Sequence, residues 1–333
     1  MSKKHDKKAA GDKGTWLTYR PEIKVLDCTI RDGGLMNDHK FDDDTVRAVY
    51  RACVEGGIDY MEIGYKNSKK QFSPEKFGPW KHCDEEDLRR AIGDNDTDLK
   101  ISVMADAEKS DYREDIGPAD DSVIDMVRVA AYIHQVPVAI EMLEYLDDLG
   151  YETCVNIMAV STVHEDDLDE GLALLAKTPA QTIYLVDSFG SFYSEEIQSL
   201  MAKYLKVAKD AGKEVGIHAH NNQQLAYANT IEAIVAGANM LDATMSGLGR
   251  GAGNCGLELL IGFLKNPRYR LRPILDCIEN NIEPLRSDMA WGFDLSYMLT
   301  GLLNQHPRVA MGHLDKPEAE RKSIVEFYDA IME

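Results

Sequence analysis

The chain has 333 residues, 44% of them hydrophobic, which is enough for one large core or for a barrel with an appendage. It carries 37 lysines and arginines against 57 aspartates and glutamates, so its formal net charge is −20. A protein this acidic repels phosphate backbones and anionic membrane surfaces, so we expect neither nucleic acid nor a membrane as a partner. A local basic pocket for a small anion remains compatible with this charge.

The cysteines and the N-terminus bear on cellular location. The chain has six cysteines and no pair with CxxC spacing, which favours reduced thiols over a disulfide framework. The lysine-rich start, residues 1–14, lacks the apolar run of a signal peptide. No segment has the roughly 18 uninterrupted apolar residues of a membrane span. We therefore predict a cytoplasmic protein whose residues 1–20 form a disordered basic arm.

From residue 21 onward, strand and helix patterns alternate along the sequence. The predicted strands are 24–30, 58–64, 99–105, 123–130, 152–160, 182–187, 214–220 and 238–245. The predicted intervening helices include 43–57, 84–92, 138–149, 165–176 and 194–211. Alternation of this kind implies parallel pairing with right-handed crossovers. Eight such units predict an α/β fold, a (β/α)8 TIM barrel that occupies residues 21–265.

Residues 266–333, which we call the C-terminal extension, break this alternation. Their predicted helices are 273–280, 284–305 and 317–332. The second of these is unusually apolar for a lone surface helix. This apolar composition fits a helix that packs on the barrel. Two more specific alternatives are a contact between subunits of a homo-oligomer, which we expect to form, and a docking surface for a partner enzyme.

Two histidines on one strand indicate a metal site. Side chains two positions apart on a strand share a face, so His218 and His220 project together from the end of the seventh strand. Asp32, after the first strand, would add a carboxylate, and Asn254 a carbonyl oxygen. The alternative is a pair of buried histidines that bond to the backbone. Mixed nitrogen and oxygen ligands favour Mn2+ or Mg2+, with Co2+, Fe2+ or Zn2+ as further possibilities.

Further polar residues occur at the predicted ends of other strands, where the active sites of such barrels lie. We assign Arg31, Glu62 and Tyr65 to catalysis, and expect Arg31 to stabilise negative charge on an enolate. The expected substrate contacts are Arg128, Asn156, Tyr184 and Arg250. A 2-oxo acid could chelate the ion through its carboxylate and keto oxygens. For each residue, the alternative is a polar side chain satisfied inside the barrel.

Three motifs resemble those of one superfamily, the DRE-TIM metallolyases. They are Leu26 to Gly33 with the sequence LDCTIRDG, His218 to Asn222 with HAHNN, and the glycine run Gly247 to Asn254. The superfamily includes 3-hydroxy-3-methylglutaryl-CoA lyase, isopropylmalate and homocitrate synthases, and 4-hydroxy-2-oxovalerate aldolase, and the glycine run is closest to the aldolase pattern. The resemblance implies that Asp32, His218 and His220 bind the metal, with Asn254 as the candidate fourth ligand.

The chain departs from the aldolases at one important position. They have a histidine base three residues after the metal-binding aspartate, and this chain has Leu35 there. His39, Asn37 or Tyr65 could substitute. The leading hypothesis is a metal-dependent lyase that makes or breaks a carbon–carbon bond next to a 2-oxo acid through a metal-bound enolate. The alternatives are a Claisen-type acyltransferase that condenses an acyl-CoA with a 2-oxo acid, and a non-catalytic metal-binding barrel that docks a partner enzyme.

Overall fold

Strands and helices alternate along residues 20–333, which the computed structural model describes. The strands are β1 (Lys24–Asp27), β2 (Tyr60–Tyr65), β3 (Lys100–Asp106), β4 (Met126–Ala131), β5 (Glu152–Ile157), β6 (Thr182–Asp187), β7 (Glu214–Ala219) and β8 (Met240–Ala243). The helices up to the end of the barrel are α1 (Thr29–Gly33), α2 (Asp43–Gly56), α3 (Glu85–Ile92), α4 (Tyr112–Asp115), α5 (Val136–Asp148), α6 (Glu165–Leu175), α7 (Ser194–Ala211), α8 (Ala226–Ala236) and α9 (Leu257–Leu264). The predicted basic arm, apart from Arg20, lies outside the described residues.

The eight strands form a closed barrel in which each pairs in parallel with its neighbours in sequence. Closure is visible at Leu26, which is in register with Tyr60 of β2 on one side and with Asp242 of β8 on the other. A register shift interrupts the β2–β3 pairing between Glu62 and Gly64. The predicted TIM barrel is therefore confirmed.

Two layers of side chains fill the fold. The larger apolar core lies between the strands and the surrounding helices, which is why the strands are almost continuously buried. Inside the barrel, a smaller apolar cluster contains Leu26, Tyr60, Met126, Tyr184 and Met240. This filled interior closes the barrel below its C-terminal end and leaves the open end for a site.

The first strand is shorter than predicted. It ends at Asp27, and the single-turn helix α1 carries Arg31 and Asp32. Two glycines follow Asp32, and the backbone of the second, Gly34, is helical, with φ −58°. Gly34 permits close packing, because a Cβ there would lie 2.2 Å from His39 Nδ1. Local crowding, rather than backbone freedom, therefore accounts for glycine at this position.

The C-terminal extension is helical, as predicted, but its middle segment is broken. Its helices are α10 (Leu271–Cys277), α11 (Leu295–Leu302), α12 (Arg308–Leu314) and α13 (Ile324–Met332), and a π-helical turn, 278–282, follows α10. The predicted helix 284–305 is wrong because Gly292 has φ +112° and Asp294 caps the new helix through the Ser296 amide. Within the described residues, we find no helix long and apolar enough to cross a membrane.

Candidate metal centre and active site

A cavity opens at the C-terminal end of the barrel and contains about 550 Å³ of space free of protein atoms, part of which is open to solvent. Its walls come from most of the strands and from the C-terminal extension. The polar lining residues are Arg31, Asp32, Tyr65, Asp106, Tyr132, Asn156, Ser188, His218, His220, Arg250 and His306.

Asp32, His218 and His220 meet on one side of this cavity, and all three are buried. One potential ligand atom from each lies within 4.8 Å of the others. His220 Nε2 is 3.7 Å from Asp32 Oδ2, and the two imidazole rings are nearly perpendicular, with centroids 4.9 Å apart. The loop after β1 and the end of β7 thus bring together the three side chains that the sequence suggested as ligands.

Each histidine is oriented by a hydrogen bond at its other ring nitrogen. His218 Nδ1 lies 2.9 Å from Asp242 Oδ2, and His220 Nδ1 lies 3.1 Å from the Asp187 carbonyl oxygen. Both partners are acceptors, so each Nδ1 carries the proton and each Nε2 has a free lone pair. Both Nε2 atoms are buried without a hydrogen-bond partner. This is the arrangement in which metal-binding histidines are usually held.

The glycine run after β8 brings an amide to the same carboxylate. Asn254 Nδ2 donates to Asp32 Oδ2 at 2.6 Å, and the Arg250 amide donates to the same oxygen at 3.3 Å. Asn254 Oδ1 is buried and has no partner. Gly249 permits this approach, because a Cβ there would lie 2.2 Å from the Asn254 amide nitrogen and 2.5 Å from Asp32 Oδ2.

Arg31 connects the carboxylates of the site. Its Nε donates to Glu62 Oε2 at 2.6 Å, its Nη1 donates to Asp32, and its Nη2 is buried without a partner. Glu62 also accepts from Arg128, which bonds Asp242 at 2.6 Å. Burial alone would raise the pKa of Asp32, but Arg31 and the two histidines hold that pKa far below its usual value. Asp32 is therefore ionised at any physiological pH.

The donor set fits a divalent cation. One ionised carboxylate and two imidazole nitrogens with free lone pairs lie within 4.8 Å of one another, and Asn254, which bonds the same carboxylate, has an unpartnered amide oxygen. Without an ion, the two Nε2 atoms and this amide oxygen would each lack a partner. A second possible group, Cys28 with His218 and Asp242, fits less well. Burial raises the pKa of the Cys28 thiol well above its usual value, so the thiol stays protonated.

A family model described as HMGL-like matches residues 22–277. The chain belongs to the HMGL-like family. This confirms the resemblance to the DRE-TIM metallolyases that the three motifs indicated.

Curated HMGL-like relatives match most of the chain. An oxaloacetate decarboxylase of Mycobacterium tuberculosis is 30% identical over 84% of this chain and 80% of its own length. A 4-hydroxy-2-oxovalerate aldolase of Thermus thermophilus is 30% identical over 80% of this chain and 77% of its own length. The predicted enzyme class, a lyase of the DRE-TIM type, is confirmed by these relatives. The condensing acyltransferase alternative gains no support from them.

Solved structures agree with this assignment. The N-terminal domain of a putative aldolase from Bacteroides vulgatus superposes with a TM-score of 0.75 at 29% identity, over 91% of this chain and 99% of that domain. The HMG-CoA lyase of Brucella melitensis has a TM-score of 0.65 at 16% identity, over 80% of this chain and 99% of that one. At such low identity the second match supports the fold alone.

The residues that we assigned to the site of this HMGL-like barrel fall into two groups. Arg31, Tyr65, Asn156 and Arg250 line the cavity. Those not among its lining residues are Glu62, Arg128, Tyr184 and His39. Glu62, Arg128 and Tyr184 are fully buried in the barrel interior, with the Arg128 guanidinium 4.2 Å from the centre of the Tyr184 ring. Glu62 bonds Arg31, and Arg128 bonds both Glu62 and Asp242, so these side chains connect groups of the site from inside the barrel. The catalytic and substrate-binding roles assigned to the three residues remain predictions.

His39 does not occupy the position of the missing base. It is 1% exposed, it packs edge-on against Tyr65, and burial lowers the pKa of its imidazole well below the usual value. Leu35 itself lies on the cavity wall. Tyr65 does line the cavity, but burial raises the pKa of its hydroxyl. Neither residue is therefore a ready base at neutral pH.

Four polar residues on the cavity wall, Asp106, Tyr132, Ser188 and His306, were not assigned to the site from the sequence. Asp106 ends β3, Tyr132 follows β4, and His306 comes from the loop between α11 and α12. Asp106 and Tyr132 could have been found, since they lie at the C-terminal ends of strands, where such barrels bind their substrates. No local pattern points to His306, because only tertiary packing brings the C-terminal extension over the barrel mouth.

Proposed function

We propose that this chain is a divalent-metal-dependent lyase that breaks a carbon–carbon bond next to the keto group of a 2-oxo acid. One observation carries the proposal. Around the ionised Asp32, the atoms His218 Nε2, His220 Nε2, Asn254 Oδ1 and Arg31 Nη2 are all buried without partners. Three of these atoms are acceptors suited to a cation and one is a donor suited to an anion. Such a pairing is what a site for a cation and an oxyanion requires.

The proposed ligands are Asp32, His218 and His220, with Asn254 as a fourth. A divalent ion bound there would supply Lewis acidity toward the carboxylate and keto oxygens of a 2-oxo acid. Asp242 and the Asp187 carbonyl keep both histidines in the tautomer that binding needs. Mn2+ and Mg2+ suit this mixture of nitrogen and oxygen ligands.

Arg31 is proposed to stabilise the negative charge that bond cleavage creates. Two of its nitrogens are bonded to Glu62 and Asp32, which fixes the direction of the guanidinium plane, while Nη2 has no partner. When the bond between C3 and C4 breaks, its electron pair remains on C3 and is delocalised onto the 2-keto oxygen. A preoriented N–H at that oxygen stabilises the resulting enolate more than it stabilises the substrate.

Proton transfer is the step that this chain must perform differently from the aldolases that it resembles. In an aldol cleavage the 4-hydroxyl group loses a proton as it becomes a carbonyl, and C3 later gains one. Leu35 has no group that can accept that proton. A reaction that needs no base therefore tests the enolate site alone. Decarboxylation of oxaloacetate is such a reaction, because loss of CO2 leaves the enolate of pyruvate without a proton transfer to a protein base.

The experiment compares two reactions of the Mn2+-loaded chain. We expect it to accelerate loss of CO2 from oxaloacetate above the rate given by free Mn2+, whereas His218→Ala should not. Exchange of the pyruvate methyl protons for deuterium, followed by NMR, reports whether a protein group moves the proton. Decarboxylation without exchange would support the enolate site and would indicate that proton transfer requires the true substrate to be bound. Failure of both reactions in a metal-loaded protein would overturn the proposed function.

A further inference from the structure

His306 brings the C-terminal extension into the cavity. It lines the cavity beside Phe189, and the centres of the two rings are 5.4 Å apart. The backbone amide of Arg308 donates to His306 Nδ1 at 3.1 Å. A neutral imidazole that accepts at Nδ1 carries its proton on Nε2. His306 therefore presents a neutral N–H donor and lacks a free lone pair for use as a base.

Positive charge accumulates on this side of the cavity. Among residues 20–333, the side chains of Arg250 and Arg308 form no ion pair with a carboxylate. The Arg250 Nη2 donates to the Ser188 carbonyl at 2.7 Å, and its Nε is buried without a partner. Lys109 Nζ lies 4.0 Å from Asp106 Oδ2, so this carboxylate of the cavity wall is already matched by a cation. Unpaired arginines are notable in a chain whose net charge is −20.

Electrostatics agrees with this geometry. Burial and, after it, the positive charges of Arg250, Arg308 and Lys109 together lower the pKa of His306 to about 4. Burial also lowers the pKa of Arg250, where the charge of Asp32 opposes the shift and the charge of Arg308 adds to it. The charges of these residues therefore interact within one region of the molecule. His306 remains neutral at physiological pH, and its surroundings attract anions.

The 2-oxo acid group alone would not match this charge. The buried network beneath the metal site contains three carboxylates, Asp32, Glu62 and Asp242, and two guanidinium groups, Arg31 and Arg128. The network therefore has a net charge of −1. A divalent cation and the carboxylate of a bound 2-oxo acid would bring the total charge to zero. The guanidinium groups of Arg250 and Arg308 are additional to this balance. Arg250 is half-buried on the cavity wall, whereas Arg308 is exposed and adds positive charge beside His306, to which its amide is bonded. A half-buried guanidinium gains more than an exposed one when an anion pairs with it.

We propose that the substrate is a 2-oxo acid with a second carboxylate at its far end, and that Arg250, His306 and Arg308 receive this carboxylate. We call these three residues the anion wall. The inference rests on the proposed function, which places the 2-oxo acid group at Asp32 and the two histidines. It adds that the fragment released on cleavage is itself anionic. His306 contributes a neutral donor, and the arginines contribute charge and directed N–H groups.

The test uses two pairs of acids that differ only at the far end. 2-Oxoglutarate and 2-oxovalerate both have five carbons, and 2-oxoadipate and 2-oxohexanoate both have six. Their binding to the full, Mn2+-loaded chain is measured by titration calorimetry, which needs no turnover. We expect at least one diacid to bind about ten-fold more tightly than its monoacid, as one hydrogen bond to a charged group would produce. High salt should reduce this preference.

Arg308→Gln and His306→Ala should each remove most of the preference while leaving monoacid binding unchanged. Lys316→Gln removes an exposed positive charge from the same extension, and should keep the full preference. Equal binding of monoacid and diacid at both chain lengths would overturn the anion wall but leave the proposed function intact. If Mn2+ binds and none of the four acids does, the proposed function fails and this inference fails with it.

Discussion

At the scale of single residues, the site is defined by atoms that lack partners. Arg31 shows why residue type matters here, since its Nε and Nη1 are used by Glu62 and Asp32 while its Nη2 is free. A lysine would keep the positive charge but could not hold two carboxylates and a third acceptor in one plane. The function of Arg31 therefore depends on its geometry as well as its charge.

Arg31→Lys should lower the rate of oxaloacetate decarboxylation by about 100-fold, the usual cost of losing one donor to an oxyanion. The affinity for Mn2+ should change little, because Asp32, His218 and His220 are retained. Steady-state kinetics and calorimetric Mn2+ titration check the two parts separately. A variant that loses metal and activity together would show that Arg31 only maintains Asp32.

Sequence reasoning located the candidate metal ligands Asp32, His218 and His220 on the cavity wall, but it did not foresee which candidate substrate contacts would lie away from that wall. His218 and His220 could be paired from strand periodicity, and Asp32 from its position after the first strand. Arg128 and Tyr184 also follow strand patterns, but β4 and β6 place their side chains inside the barrel, where they contact each other. The sequence does not reveal how deep a residue lies in a barrel, because depth depends on strand stagger.

At the scale of elements, the C-terminal extension shapes the site as well as covering the barrel. Trp291 Nε1 donates to the Ser246 carbonyl at 3.0 Å, next to the glycine run. Tyr297 belongs to a buried cluster with Ala252 and Phe327, and a Cβ on Gly251 would lie 2.9 Å from its ring. The extension thus packs directly on the loop that carries Asn254.

Tyr297→Ala should weaken Mn2+ binding, because the loop that positions Asn254 loses the ring that packs against it. Phe327→Ala is the matched control, since Phe327 is buried in the same cluster but is not among the atoms nearest to a Cβ placed on Gly251, whereas the Tyr297 ring is. Both variants should lose about 3–5 kcal/mol of stability at most, as is typical for truncation of a buried aromatic residue. Equal Mn2+ affinity in the two variants would contradict a role of the extension in the metal site.

The break in the predicted helix 284–305 shows what local patterns miss. The apolar periodicity of this segment is real, but Gly292 adopts a positive φ and Asp294 starts a new helix. This break allows the chain to turn across the barrel mouth and bring His306 to the cavity. The assignments to a homo-oligomer and to a partner enzyme remain predictions, as does the domain boundary at residue 266.

At the scale of the whole molecule, buried acids make stability depend on pH. Burial raises the pKa of Asp27 to about 7, the charges of Glu258 and Glu62 add to this effect, and hydrogen bonds from Thr29 oppose it. The folded state therefore keeps a proton that the unfolded state releases near its ordinary pKa of 3.8. This contribution is fully present below that value and is lost as pH rises toward 7.

Asp27→Asn should remove this dependence. Relative to the native chain, its free energy of unfolding should rise by roughly 1 kcal/mol per pH unit between pH 5 and 7. Urea unfolding of both proteins over this range measures the difference, and contributions of the histidines cancel between them. Parallel stability curves would show that Asp27 is ionised in the folded state.

The central claim is that Asp32, His218 and His220 bind a divalent cation. The most direct measurement is the Mn2+ content of the purified chain after metal removal, reloading and gel filtration, beside the double variant His218→Ala, His220→Ala. The account predicts one ion per native chain, a higher melting temperature with Mn2+, and neither effect in a folded double variant. A native chain that retains no ion, or a double variant that retains as much as the native chain, would contradict it.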